Sequence, residues 1–237
     1  FGHSLGCIPK NWIRTAKKMG NELSVADSTG IQLSHHKFIV AVLLVMKRLR
    51  SRLKGQQNVG LILPTSAGGA IANMAVLGLG KTVVNLNYTA GIKAVRSAVE
   101  SADIKSIVTS RLFLKKLTSR GIDLDELFSG IEVFYLENIK QENSQALALR
   151  YLIMVKLLPA SILSLCFIKS VPSHTTAAIM FSSGSEGKPK GVELSHYNLL
   201  GNIKQVASIF NIEETDTFMC ILPLFHCFGL TVTAFLP

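Results

Sequence analysis

The sequence predicts an α/β fold, a mostly parallel sheet covered by helices. Three observations carry that expectation. From residue 59 onward, short apolar runs alternate with helix-patterned stretches, and successive βα units of this length are joined by crossovers that cover both faces of a sheet. Residues 67–79 form a helix of small residues that can pack tightly against such a sheet. With 48% hydrophobic and 17% charged residues over 237 positions, the chain can bury a sizeable core and is not disordered.

The elements follow in order. Residues 1–21 set Lys10, Arg14, Lys17 and Lys18 around Trp12 and Ile13. Two readings stand: an amphipathic basic segment lying on a membrane surface, or a linker with a solvated face. The expected division is therefore 1–22, a basic linker or membrane-surface segment, and 23–237, the α/β unit. Residues 23–34 read as a β-hairpin, with Leu23, Val25, Ile31 and Leu33 flanking Asp27-Ser28-Thr29-Gly30. Ser34 is placed to cap a long helix over 35–54, closed by Gly55. Its cationic end, Lys47 to Lys54, suits the helix dipole without any ligand.

Strands are expected at 59–63, 82–86, 106–109 and 131–136, with helices at 67–79, 92–101 and 112–120. Gly78 and Gly80 mark a helix end. Residues 145–169 include an apolar stretch interrupted by Lys156 and Pro159. A core helix kinked near Pro159, a membrane-surface contact and a true span are all kept open, although the stretch is short for a span. A helix capped by Ser195 should run to about residue 210, followed by a strand at 216–222. The chain begins at Phe1 and ends at Pro237 within an apolar run, so a piece of a longer protein is expected.

Charge is uneven. Residues 1–99 carry 13 Lys/Arg against only Glu22 and Asp27, whereas residues 100–237 carry 12 against 13 acids. A basic half implies an anionic partner: nucleic acid, a lipid head group or an acidic carrier protein. No interleaved aromatic pattern supports nucleic acid, and that partner is not expected. Cys7, Cys166, Cys220 and Cys227 form no C-x-x-C pair and no metal spacing. They read as reduced, mostly buried thiols of a cytosolic protein.

The chemistry concentrates at residues 177–192, AAIMFSSGSEGKPKGV. A short apolar run, 177–181, reads as a buried strand that opens into Ser182, Ser183, Gly184, Ser185, Glu186, Gly187, Lys188, Pro189, Lys190 and Gly191. Glycines let the backbone turn its N–H groups inward, hydroxyls add donors and two lysines add charge. This is a phosphate cradle. The spacing is not that of a Walker A loop, because Gly184 and Gly187 are too close and Pro189 follows Lys188. Nor is it a G-x-G-x-x-G fingerprint. A flexible Gly/Ser linker would need neither Lys-Pro-Lys nor a buried strand before it.

FSSGSEGKPKGVELSH resembles the signature loop of the adenylate-forming (acyl-CoA synthetase-like) superfamily, usually Ser/Thr-Ser-Gly-Ser/Thr-Thr-Gly-x-Pro-Lys-Gly. It departs once, with Glu186 where most members carry Thr. The SGSEG run and PLFHCFGLTV are similar to one branch, the synthetase part of the bifunctional acyl-acyl-carrier-protein synthetase/2-acylglycerophosphoethanolamine acyltransferases. The resemblance extends from about residue 23 to 237 and includes LPTSAGGAIANMAVLGLGKTVVNLNYTAG. It implies that 23–237 is the truncated N-terminal part of an adenylating (AMP-binding) domain.

From the resemblance the expected activity is ATP-dependent activation of a fatty acid, then acyl transfer to the thiol of an acyl carrier protein or CoA. Lysophospholipid reacylation would belong to the parent protein. Ser182, Ser183, Gly184, Ser185, Glu186, Gly187, Lys188 and Lys190 are expected to hold the triphosphate, with Mg²⁺ as a second cofactor. Ser183 and Ser185 are the leading hydroxyl contacts, and Glu186 faces either phosphate or Mg²⁺. Lys190 and His226 are the expected catalytic residues, His226 standing beside the acyl-adenylate pocket; a core histidine is the competing reading. No metal ligand set is specified. The implied setting is the cytoplasmic face of the inner membrane for the parent, with the piece itself soluble, and an anionic phospholipid surface as partner. A preceding acyltransferase domain is implied, but its H-x-x-x-x-D motif is not in these residues. The adenine, ribose and lid motifs are not found either, so half a nucleotide site, inactive alone, is expected. A noncatalytic membrane-surface lipid-binding module is the alternative.

Overall fold

The computed structural model describes residues 6–182 and 189–236. Helix α1 (Ile8–Met19) precedes a small antiparallel hairpin, β1 (Leu23–Ala26) with β2 (Gln32–Ser34), and helix α2 (His35–Arg52) follows at once. Ser34 caps α2, its hydroxyl accepting from the Lys37 N–H at 3.4 Å. Then come β3 (Asn58–Ile62), α3 (Ala67–Gly78), β4 (Thr82–Asn85), α4 (Ile92–Ser101), β5 (Ser106–Thr109), α5 (Arg111–Thr118) and β6 (Glu132–Tyr135). Three helices, α6 (Leu136–Glu142), α7 (Gln145–Leu157) and α8 (Ala160–Phe167), lead to β7 (Thr176–Ser182) and β8 (Lys190–Ser195). Helix α9 (His196–Ile209) and a short turn of helix, α10 (Cys227–Leu230), complete the order, with a π-helical turn over Thr231–Phe235.

The main sheet runs β6-β5-β3-β4-β7-β8. All neighbours are parallel except β8, which pairs antiparallel with β7. Strand side chains alternate between two cores, as the pleat requires. Val59, Leu61, Val83 and Val108 join α1, α2, α3, α7 and α8 on one face. Ile62, Val84, Leu86 and Ile107 join α4 and α5 on the other. The chain leaves β3 toward the first face and leaves β4 and β5 toward the second. Such a reversal opens a crevice at the carboxyl ends of the strands, where ligands of open α/β sheets bind.

Several expectations need correction. Within residues 1–22, read as a basic linker or membrane-surface segment, α1 buries an apolar side, including Ile8, Ile13 and Ala16, in the first core. The 145–169 stretch is two helices, not one, because Pro159 stands between them with extended backbone. Among the described residues no helix is long and apolar enough to cross a membrane. No strand forms at 216–222; this segment has no strand partner, and Met219 and Ile221 are exposed. Of the four thiols only Cys7 is buried, while Cys166 and Cys227 are exposed.

One long-range polar contact ties the ends of the chain together. The Ile8 N–H at the start of α1 donates to Nδ1 of His196, the first residue of α9, at 3.3 Å. The His196 ring is buried, and burial pushes its pKa down to about 4. The folded state therefore needs the neutral ring as acceptor, whereas the unfolded chain protonates near pH 6.5. Between these values the unfolded state binds the extra proton, so stability is full above about pH 6.5 and falls as pH drops toward 4. We expect His196 to contribute about 3 kcal/mol to this acid-side loss. Urea denaturation at neutral and mildly acidic pH, on the native chain and His196→Asn, should show a steeper loss in the native protein. Equal pH dependence would remove His196 from this role.

Candidate nucleotide site at the carboxyl edge of the sheet

The two ends of the expected phosphate loop lie where the crevice opens. Buried β7 carries it out of the sheet, and β8 returns antiparallel, with Ser182 opposite Lys190 and Phe181 opposite Gly191. The loop is thus a hairpin connection held at both ends by backbone pairing. The Ser182 hydroxyl points across the neck to the Lys190 carbonyl at 3.5 Å. Gly191 lies flat against β7: a Cβ there would stand 3.2 Å from both Ile179 Cγ2 and the Phe181 ring. Lys190 is exposed and makes no ion pair among the described residues. Ser183, Gly184, Ser185, Glu186, Gly187 and Lys188 lie outside the described residues.

The second motif, 223–229, packs on the same edge. Thr65, in the loop after β3, donates its hydroxyl to the Leu222 carbonyl at 3.0 Å. Leu224 is buried against Gly69 at the start of α3, where a Cβ would come 2.9 Å from Leu224 Cδ1 and 2.5 Å from the Pro64 carbonyl oxygen. Gly229 closes the motif on itself, since a Cβ there would lie 2.4 Å from the Pro223 oxygen. Phe225 packs edge-on to Tyr88, in the loop after β4, with ring centroids 5.1 Å apart. Tyr88 in turn meets Phe113 at 5.0 Å. His226 is exposed at the end of this aromatic row, its ring 4.8 Å from that of Phe225. The structure thus places Ser182, Lys190 and His226 at the same edge of the sheet, on three separate segments.

Sequence reasoning missed the supports beneath the site. Asn73 on α3 and Asn85 at the end of β4 are buried and bond reciprocally: Asn85 Nδ2 donates to Asn73 Oδ1 at 2.8 Å, and Asn73 Nδ2 to Asn85 Oδ1 at 3.2 Å. Asn73 Nδ2 also donates to the Gly69 carbonyl at 2.9 Å. This fixes α3 on β4 directly under Leu224, and a buried amide pair is costly to break once desolvated. Asp27, in the β1–β2 turn, accepts from the Ala67 N–H at 3.0 Å and so holds the start of α3. Burial pushes its carboxyl up, but the bonds from Thr29, Ala67 and Ile31 together hold it below the usual value. The capping role alone is a recognisable sequence signal; a partner forty residues away is not.

The donor set fits a phosphate group. A hydroxyl at Ser182 and an unpaired ammonium at Lys190 flank the neck of a glycine- and serine-rich connection, with no carboxylate paired to that lysine among the described residues. For a metal the fit is narrower, since the described residues contain no group of three His, Cys, Asp or Glu able to hold one.

Comparison with known proteins gives the class. The model of the AMP-binding enzyme family matches residues 13–237, and the chain belongs to that family. It is 26% identical over 225 residues to 4-coumarate–CoA ligase-like 6 of Arabidopsis thaliana, covering 91% of this chain and 37% of that protein. Over 58 residues it is 43% identical to the chloroplastic long-chain-fatty-acid–[acyl-carrier-protein] ligase AEE15 of the same plant, covering 24% of this chain and 8% of that protein. The fold matches ATP-bound MatB from Rhodopseudomonas palustris with a TM-score of 0.71 at 18% identity, over 96% of this chain and 43% of that one. The chain therefore spans about a third of the length of the curated relatives it matches.

The close approach at Gly69 gives a stability prediction with its own control. Gly69→Ala forces backbone and Leu224 apart and should cost roughly 1–3 kcal/mol, as overpacking does. Gly201→Ala, in α9 with nothing within 4 Å of the added Cβ, should stabilise by up to about 1 kcal/mol. Chemical denaturation of both variants checks the pair; a neutral Gly69→Ala would show that Leu224 does not anchor the motif.

Proposed function

We propose that this chain is the phosphate-binding half of an ATP-dependent ligase that activates a fatty acid and passes it to a thiol. The observation that carries the reading is the convergence of the Ser182–Lys190 hairpin neck and the 223–229 motif on the carboxyl edge of one parallel sheet. Membership of the AMP-binding enzyme family supports the ligase class, and the ATP-bound fold neighbour supports ATP as the nucleotide. Bound here, ATP supplies an α-phosphate that a carboxylate attacks with loss of pyrophosphate. The chain's own contribution is electrostatic. Lys190 and the hydroxyls and N–H groups of residues 182–187 would offset charge gathering on phosphate oxygens. Lys188 adds a second ammonium. Glu186 is the residue nearest in type to an Mg²⁺ contact, with the nucleotide's own phosphates completing the ion's shell.

The aromatic row Phe113, Tyr88 and Phe225 forms an apolar wall beside this edge, suited to an acyl chain, and His226 stands at its exposed end, where the carboxylate would meet the phosphate. For the acceptor thiol we favour acyl carrier protein over CoA. The support is the local 43% match to an acyl-carrier-protein ligase and the basic first half of the chain, which complements an acidic carrier. Lysophospholipid reacylation stays a proposal for the parent protein.

Two measurements test this. In a form of the protein extended to full family length, fatty acids should drive exchange of pyrophosphate into ATP, and Lys190→Ala should lower the rate on the order of a hundred-fold or more. An unchanged rate in a folded variant removes Lys190 from the mechanism; no exchange with any fatty acid removes the activity. The 237-residue chain by itself, which spans about a third of its curated relatives' length, should bind Mg-ATP no tighter than roughly millimolar, about 4 kcal/mol. Calorimetric titration giving a micromolar value would show that the site is complete within this chain.

A further inference from the structure

A second cationic feature lies at the other end of the sheet, where the strands begin. A cleft of about 480 Å³ opens between the ends of α2, α3 and α8, lined by Arg50, Lys54, Lys81 and Lys169 together with Leu165 and Phe167. No carboxylate among the described residues lines it, and none of the four cations forms an ion pair there. Like charges crowded without counter-charge cost stability, so the arrangement points to an anion from outside.

Two of the cations are also held in place by their side chains. Arg50 donates to the Phe167 carbonyl at 2.9 Å, and Lys81 donates to the Gln56 carbonyl. The Lys169 N–H donates to the Gly78 carbonyl at 2.9 Å. Its stem crosses Gly80, where a Cβ would lie 2.8 Å from Lys169 Cδ; with φ at +69°, that position needs glycine on both counts. Burial, and secondarily the Lys169 charge, push the Lys81 ammonium pKa down.

Exposed apolar side chains stand on the cleft rim and along α7. Leu165, on its rim, is 85% exposed, and Leu149, Ile153 and Leu157, four residues apart on α7, are 58%, 50% and 77% exposed. Helices α7 and α8 bury their other sides in the same core and meet through Tyr151 and Phe167, 5.6 Å apart. A soluble anion would leave these leucines in water, and an apolar protein partner would bury four unpaired cations. An anionic bilayer accommodates both.

We propose that this cleft and the α7–α8 surface dock the chain on an anionic membrane, the four cations seating lipid headgroup phosphates and the exposed leucines entering the interface. The site is separate from the nucleotide edge and does not rest on the ligase reading. The test is sedimentation of the 237-residue chain with phosphatidylcholine vesicles, with and without phosphatidylglycerol. The native chain should bind the mixed vesicles, and high salt should release it. Lys54→Glu with Lys169→Glu should weaken binding at least about tenfold, whereas Lys93→Glu with Lys204→Glu, the same charge change elsewhere, should not. Leu157→Ser with Leu165→Ser should weaken it without changing net charge. Equal losses from both charge-reversed pairs would reduce the effect to net charge and overturn the site. So would absence of vesicle binding, or binding abolished by excess inorganic phosphate at constant ionic strength, which would make free phosphate the ligand.

Discussion

A parallel sheet buried on both faces must be crossed by helices on both sides, and the rest of this molecule follows from that requirement. β3 and β4 are buried along nearly their whole length, so each must be followed by a crossover that covers one face. Helix α3 covers one and α4 the other. The reversal between them leaves the carboxyl ends of the strands uncovered by helices, and the Ser182–Lys190 neck and the 223–229 motif both lie at this edge. The close contacts at Gly69 and Gly229 and the buried Asn73–Asn85 pair set the depth at which the second motif rests. They act on position, through packing, and leave the exposed Lys190 and His226 free to face a ligand.

The same layer logic divides the two cationic regions. The proposed phosphate contacts, Ser182 and Lys190, lie at the end of β7 and the start of β8, on a hairpin neck held by backbone pairing. Arg50, Lys54, Lys81 and Lys169 lie at the starts of strands and the ends of helices. Helix ends carry partial negative charge and attract cations for structural reasons. What distinguishes the cleft is that four such residues, from the ends of three helices, face one space with no carboxylate among the described residues.

Much of this was legible in the sequence because burial and periodicity agree in it. The bounds of α4 and β5 are those expected, since Ile92–Ser101 has a clean apolar stripe and Ser106–Thr109 is buried at every position. Pro159 was legible as a break, though not as the boundary of two helices. β8 was not, because Lys190, Gly191, Val192 and Glu193 are exposed and owe their conformation to pairing with β7, not to side-chain pattern. The opposite error occurred at residues 216–222, where Met219, Ile221 and Leu222 give strand-like composition without a neighbouring strand. The covering of α1 was hidden as well: its basic, amphipathic pattern suits a membrane or a core equally, and α2 and α8 decide between them. The Asn73–Asn85 pair and the Ile8–His196 bond join distant positions and carry no local signal.

As proposed, nucleotide phosphates bind at the hairpin neck of β7 and β8 and not at the cleft behind it, which holds more cations. Photolabelling with an ATP analogue that carries its reactive group on the γ-phosphate, followed by peptide mapping, separates the two directly. A site at the neck calls for label within residues 182–195, with a minor share in 222–229, and loss of that label in Lys190→Ala. Label in residues 48–56 or 165–171 would contradict it.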